Sequence, residues 1–115
     1  MIKKNLSTPD EIRTPSKTRI EVVNFNKSII MRATFEPGWQ WSECIKPVVG
    51  TDSCKVLHNL YVISGSMTVK MNDGKTYNLG PGDAAEIPPG HDAWVNGNEP
   101  CISIDFSAGE EYAKK

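Results

Sequence analysis

The 115-residue sequence contains two histidines, His58 and His91, and three cysteines, Cys44, Cys54 and Cys101. Unprotonated imidazole nitrogens and thiolates are the side-chain donors that hold zinc, nickel, copper and iron. Positions 52, 54, 56 and 58 share parity, so an extended chain turns Asp52, Cys54 and His58 to one side. Positions 91 and 93 also share parity if residues 88–94 are extended, which puts His91 on the side of Ala93. Two imidazoles with a thiolate or carboxylate make a metal site, for which His58, His91 and Cys54 are the candidate ligands. Water or a ligand oxygen would take the open position. Glu43 or Cys44 would supply the third donor instead if residues 39–44 fold across the mouth of the site. Such binding should weaken as the pH falls through the ordinary imidazole value of ~6.5, because the ligating nitrogen must be unprotonated. The competing reading makes His58 a hydrogen-bonded polar residue of the interior and His91 a turn residue bonded to backbone, with no metal.

Trp39, Trp41 and Trp94 are all the tryptophans of the chain. Aromatic walls around a few convergent polar groups characterise small-ligand pockets, so these three, with Glu43 and Cys44, are the candidate pocket residues. Ordinary packing at a rim is the alternative for the tryptophans, and a solvated side chain the alternative for Glu43. Asp83, in Gly80-Pro-Gly-Asp, is read as fixing a turn. No Gly-rich phosphate loop is present, and two histidines already claimed by a metal site leave no Ser/His/Asp triad.

The elements that must position these residues are strands. Residues 20–25 form one candidate, and Ile29, Met31, Ala33 and Phe35 line one face of the next. Residues 56–64 alternate Val56, His58, Leu60 and Val62 against Leu57, Asn59, Tyr61 and Ile63. Gly65 breaks this strand, and Met67, Val69 and Met71 continue beyond it. Asn72-Asp-Gly74 is a hairpin signal for a type I′ turn. A short strand at 84–87 and the turn Pro88-Pro-Gly90 follow. After Trp94-Val95 and the turn Asn96-Gly-Asn98, Ile102, Ile104 and Phe106 alternate with Cys101, Ser103 and Asp105. About eight short strands at hairpin spacing predict a small antiparallel barrel or jelly roll with no helix inside. Ser7-Thr-Pro-Asp-Glu has the composition of a capped helical turn. Only residues 108–115 are otherwise read as helical.

Composition narrows the function classes. A net charge of −1 provides no basic excess for phosphate neutralisation, so no nucleic-acid partner is expected. The 17 glycines and prolines (nine and eight) argue against a helical bundle. No stretch is long and apolar enough to span a bilayer, and the first residues lack the apolar segment of a secretory signal. An odd number of cysteines without CxxC spacing points to reduced thiols and a cytoplasmic setting.

Several motifs in order resemble the cupin superfamily: Tyr61-Val-Ile-Ser-Gly65, Asp73-Gly74, Leu79-Gly-Pro-Gly-Asp83 and Ile87-Pro-Pro-Gly90. Pro37-Gly-Trp-Gln-Trp-Ser-Glu43 and Gly90-His-Asp-Ala-Trp94 further resemble a small bacterial cupin subgroup of unassigned function. The resemblance implies an all-β, antiparallel double-stranded β-helix or jelly-roll barrel with a metal in it. It places His58 where the family's first motif has Glu, and Cys54 and Asp52 at its two histidines. An alternative register starts at Gly38 and puts Cys44 and Lys46 there. In the second motif Gly82, Pro88 and Gly90 fit, Ala93 stands at the ligand histidine, and His91 lies two residues earlier. The four-ligand set is thus degenerate.

The expected organisation is an N-terminal arm (1–18), a cupin barrel (19–107) and a C-terminal tail (108–115). The expected function is binding of a small polar organic ligand, directly or through a divalent metal (Zn, Ni, Fe, Cu or Mn). A metal-dependent oxygenase, isomerase or lyase, and a structural dimeric subunit, are the alternatives. Both faces of residues 56–63 are apolar, so the outer one needs a cover. A homodimer in which the strand at 19–25 protects an edge is expected.

Overall fold

The computed structural model describes residues 1–106. Nine strands and two single-turn helices follow in order. They are β1 (Glu11–Arg13), β2 (Thr18–Asn24), β3 (Ile29–Phe35), α1 (Trp41–Cys44), α2 (Lys46–Val49), β4 (His58–Ser64), β5 (Met67–Met71), β6 (Thr76–Leu79), β7 (Ala84–Ile87), β8 (His91–Val95) and β9 (Cys101–Asp105). They form a six-stranded sheet, β1-β2-β3-β9-β4-β7, and a three-stranded sheet, β6-β5-β8, antiparallel throughout. After β4 the chain crosses to the small sheet, then returns for β7, crosses for β8 and returns for β9. The two sheets therefore share one core between their inner faces, as in a jelly roll.

Alternation decides which side chains enter that core. Met31, Ala33 and Phe35 of β3, His58, Leu60 and Val62 of β4, and His91, Ala93 and Val95 of β8 are all buried. Strand β9 sends in Cys101, Ser103 and Asp105, while Ile102 and Ile104 lie half-buried on the outside. Gly65 makes the crossing from β4 to β5 possible. Its φ is +78°, and a Cβ there would lie 2.2 Å from the Pro100 carbonyl oxygen.

Several local expectations are corrected. Residues 7–11 form no helical turn. The Asp10 N–H donates to Val22 O at 2.9 Å, and the Asp10 carboxylate accepts from Asn24 N–H at 2.8 Å. The segment thereby closes onto β2 and continues as β1. Strand β2 consequently has a neighbour on each side and protects no edge; β1 and β7 are the outer strands. Residues 56 and 57 precede β4 rather than belong to it. Two helices interrupt the strands at 41–44 and 46–49, and Gly50 (φ +78°) ends the second. At the β5–β6 hairpin only Gly74 has positive φ (+93°), and its N–H donates to Met71 O. Asn72 and Asp73 therefore form a turn of type I geometry with a following left-handed glycine, not type I′. The helical reading of 108–115 lies outside the described residues. Among the described residues no helix is long and apolar enough to cross a membrane.

Candidate metal centre

Cys54, His58 and His91 meet inside the barrel, all buried, with one donor atom from each lying within 4.8 Å of the others. They arrive from both sheets. His58 opens β4 of the large sheet and His91 opens β8 of the small one. Cys54 pairs with His91 in an isolated antiparallel bridge: the Cys54 N–H donates to His91 O at 2.8 Å, and the Gly90 N–H to Cys54 O at 2.7 Å. The loop carrying Cys54 is tied further by Asn72 Nδ2, which donates to Ser53 Oγ. Asp52, on the same parity, is exposed and outside the cluster, because the chain bends at residues 52–53 instead of running extended into Cys54.

Each imidazole is oriented by its second nitrogen. His58 Nδ1 lies 2.6 Å from Asp105 Oδ2, inside the barrel. His91 Nδ1 donates to the Pro88 carbonyl oxygen at 2.8 Å. With Nδ1 engaged as donor, the neutral ring carries its lone pair on Nε2. His58 Nε2 lies 3.5 Å from Cys54 Sγ, and the two rings are edge-on with centroids 5.3 Å apart. On a tetrahedral zinc with bonds of ~2.3 Å to sulfur and ~2.0–2.1 Å to nitrogen, S and N are about 3.5 Å apart. The donor set and its spacing thus fit a metal ion, with Asp105 and Pro88 as the outer partners that such histidines use.

Electrostatics couple the same residues. Burial opposes ionisation of Cys54, but hydrogen bonds from His58 and His91 and their charges outweigh it and bring the thiol down to about 6. Burial likewise opposes charge on His58, yet bonding to Asp105 and Cys54 prevails and raises it to about 9. Without metal these shifts favour, near neutral pH, a thiolate beside an imidazolium. Cys101, by contrast, is pushed up to about 11 by burial and remains a neutral packing residue.

A cavity of about 30 Å³ adjoins the cluster, and Trp39, Trp41, His58, His91, Ser103 and Asp105 contribute to its walls. Trp39 is placed by its carbonyl oxygen, which accepts from Val95 N–H, and by its ring, 4.1 Å centroid to centroid from Phe35. Asp92 places Trp41, accepting from the Ser42 N–H and from Gln40 Nε2, both at 3.1 Å. The other pocket candidates lie elsewhere. Glu43 is exposed, since the turn of α1 that buries Trp41 rotates it outward. Cys44 is in the core without lining the cavity. Trp94 is half-buried on the outer side of β8, opposite in parity to His91 and Ala93. Asp105 was not among the sequence candidates. Its signal was its place in the inward parity with Cys101 and Ser103, masked by the apolar residues of the other face.

Residues 55–107 match the family model of the Cupin domain. No curated protein matches the sequence. Among solved structures the chain is similar to the polyketide cyclase RemF from Streptomyces resistomycificus (TM-score 0.68, 18% identity, covering 96% of this chain and 80% of that one). A protein of unknown function from Rhizobium leguminosarum gives 0.67 at 20% identity, with 96% and 98% covered. Ectoine synthase from P. lautus gives 0.66 at 16% identity, with 94% and 78% covered.

Proposed function

We infer the function from the premise that residues 55–107 are a cupin domain and that the chain has the cupin fold. On that premise the protein binds a small polar organic ligand in the barrel, through a divalent metal held by Cys54, His58 and His91. The observation that carries this reading is the convergence of three buried donors within 4.8 Å, two of them imidazoles whose Nδ1 atoms are already engaged. One sulfur and two nitrogen donors suit zinc, copper or iron better than manganese, which prefers oxygen. A bound metal would supply Lewis acidity and an anchoring charge for a ligand oxygen. The chain's own residues do the rest. Asp105 and the Pro88 carbonyl hold the two rings, and Trp39 and Trp41 exclude water.

The test is metal analysis of protein purified without a histidine tag, together with cobalt titration. One metal per chain and a thiolate-to-cobalt charge-transfer band are expected. Both should vanish in the His58→Ala, His91→Ala double variant, and the band alone in Cys54→Ser. Wild-type protein that binds no metal under conditions where it remains folded would overturn the reading.

The second reading is a metal-dependent enzyme acting on a small organic substrate. It is supported by the open space beside the donors and by a fold that this chain shares with a cyclase and a synthase. Turnover of a candidate substrate that stops on metal removal would favour it over simple binding.

A further inference from the structure

Trp39 and Trp41 are each 2% exposed, and both line the cavity. Their indole Nε1 atoms are the two buried side-chain polar atoms without a hydrogen-bond partner among the described residues. An indole N–H can only donate. Folded interiors rarely leave such a donor unmet, and an orphaned one calls for an acceptor at the site. Here there are two, on residues separated only by Gln40, and both residues line one cavity.

Both rings are buried in the core. The backbone of Trp39 is bonded to Val95, and that of the segment around Trp41 to Asp92. Phe35 packs on the Trp39 ring. The missing acceptor must therefore come to the indoles. Water needs about 10–15 Å³ of such space, so a cavity of about 30 Å³ admits a group of only two or three heavy atoms. A carboxylate has that size, offers two acceptor oxygens and no donor, and carries a charge suited to a neighbouring cation.

We propose that the cavity takes a small carboxylate, free or at the end of a short acid, with the Trp39 and Trp41 indole N–H groups as its two donors. This rests on the ligand-binding reading above and names the chemistry of the ligand.

The experiment is a titration of the full-length, indole-¹⁵N-labelled protein with formate and then acetate, zinc-loaded and metal-free in parallel, with formamide as the neutral control. The Trp94→Phe variant identifies the signal of the tryptophan outside the cavity. The Trp39 and Trp41 indole signals should shift saturably with formate, while the Trp94 signal stays and formamide has little effect. Trp41→Phe should weaken formate binding about tenfold or more. Indole signals that stay fixed at high formate, or that follow formamide equally, would overturn the proposal. Zinc uptake is read separately in the same samples. If zinc binds and the indoles stay still, the carboxylate proposal falls and the metal reading stands. If zinc does not bind, the metal reading falls and the metal-free titration decides the proposal by the same signals. The wild-type titration stands even if a core tryptophan variant fails to fold.

Discussion

Between about pH 6 and 9 a metal entering this site has to displace a proton from His58, while Cys54 is already a thiolate. Affinity should therefore rise roughly tenfold per pH unit across that window, and more steeply below it, where the thiol also binds its proton. The midpoint thus moves well above the ordinary imidazole range that the bare sequence suggested, and a chelator-competition titration at several pH values measures the slope. A flat profile from 6.5 upward would contradict the pairing of His58 with Asp105. Asp105→Asn should lower the His58 value and so flatten the profile, and above about pH 9, where His58 is unprotonated in both proteins, it should cost about 10- to 100-fold in metal affinity, since an outer partner of the ligand is lost. In metal-free protein, the ultraviolet absorbance of the thiolate should appear as the pH is raised through about 6. In His58→Ala it should appear only at a much higher pH, because burial then acts with less opposition.

The elements show where sequence patterns suffice and where they stop. The alternation from His58 to Ile63 reveals β4, because each inward residue is followed by an outward one. Strand β9 alternates as clearly, but its apolar residues face out and Cys101, Ser103 and Asp105 face in. Hydrophobicity alone thus conceals Asp105. Helices α1 and α2 are single turns, too short for a 3.6-residue period to register, so the separation of Trp41 from Glu43 was not legible. Glycine identity was legible, but not how much each glycine matters. Gly65→Ala combines a φ of +78° with a Cβ 2.2 Å from a backbone oxygen that cannot move aside. It should cost at least ~2–3 kcal/mol in urea unfolding. Gly74→Ala has similar φ strain but nothing within 4 Å, and should cost only about 1 kcal/mol. Equal costs would show that the close approach to Pro100 is unimportant.

At the scale of the whole molecule, the outer face of the six-stranded sheet is the feature that calls for a partner. Tyr61, Ile63 and Phe106 are 44%, 46% and 51% exposed. Register brings Ile104 beside Tyr61 and Ile102 beside Ser64. We propose that these exposed apolar residues form an association site, covered by a second copy of the chain. Sedimentation at tens of micromolar should give a dimer mass, and Tyr61→Glu should give a monomer; a wild-type monomer would refute the assembly. The donors of the metal cluster have a different consequence at this scale. His58 belongs to one sheet, whereas His91 and the Cys54 bridge belong to the other. An ion held by all three would act as a cross-link between the sheets, so that neither could open without releasing it. At a metal concentration 100 times the dissociation constant the added stability is about 2.7 kcal/mol. Amide exchange should slow together in β4 and β8, two segments that share no backbone hydrogen bond in the sheet ladders.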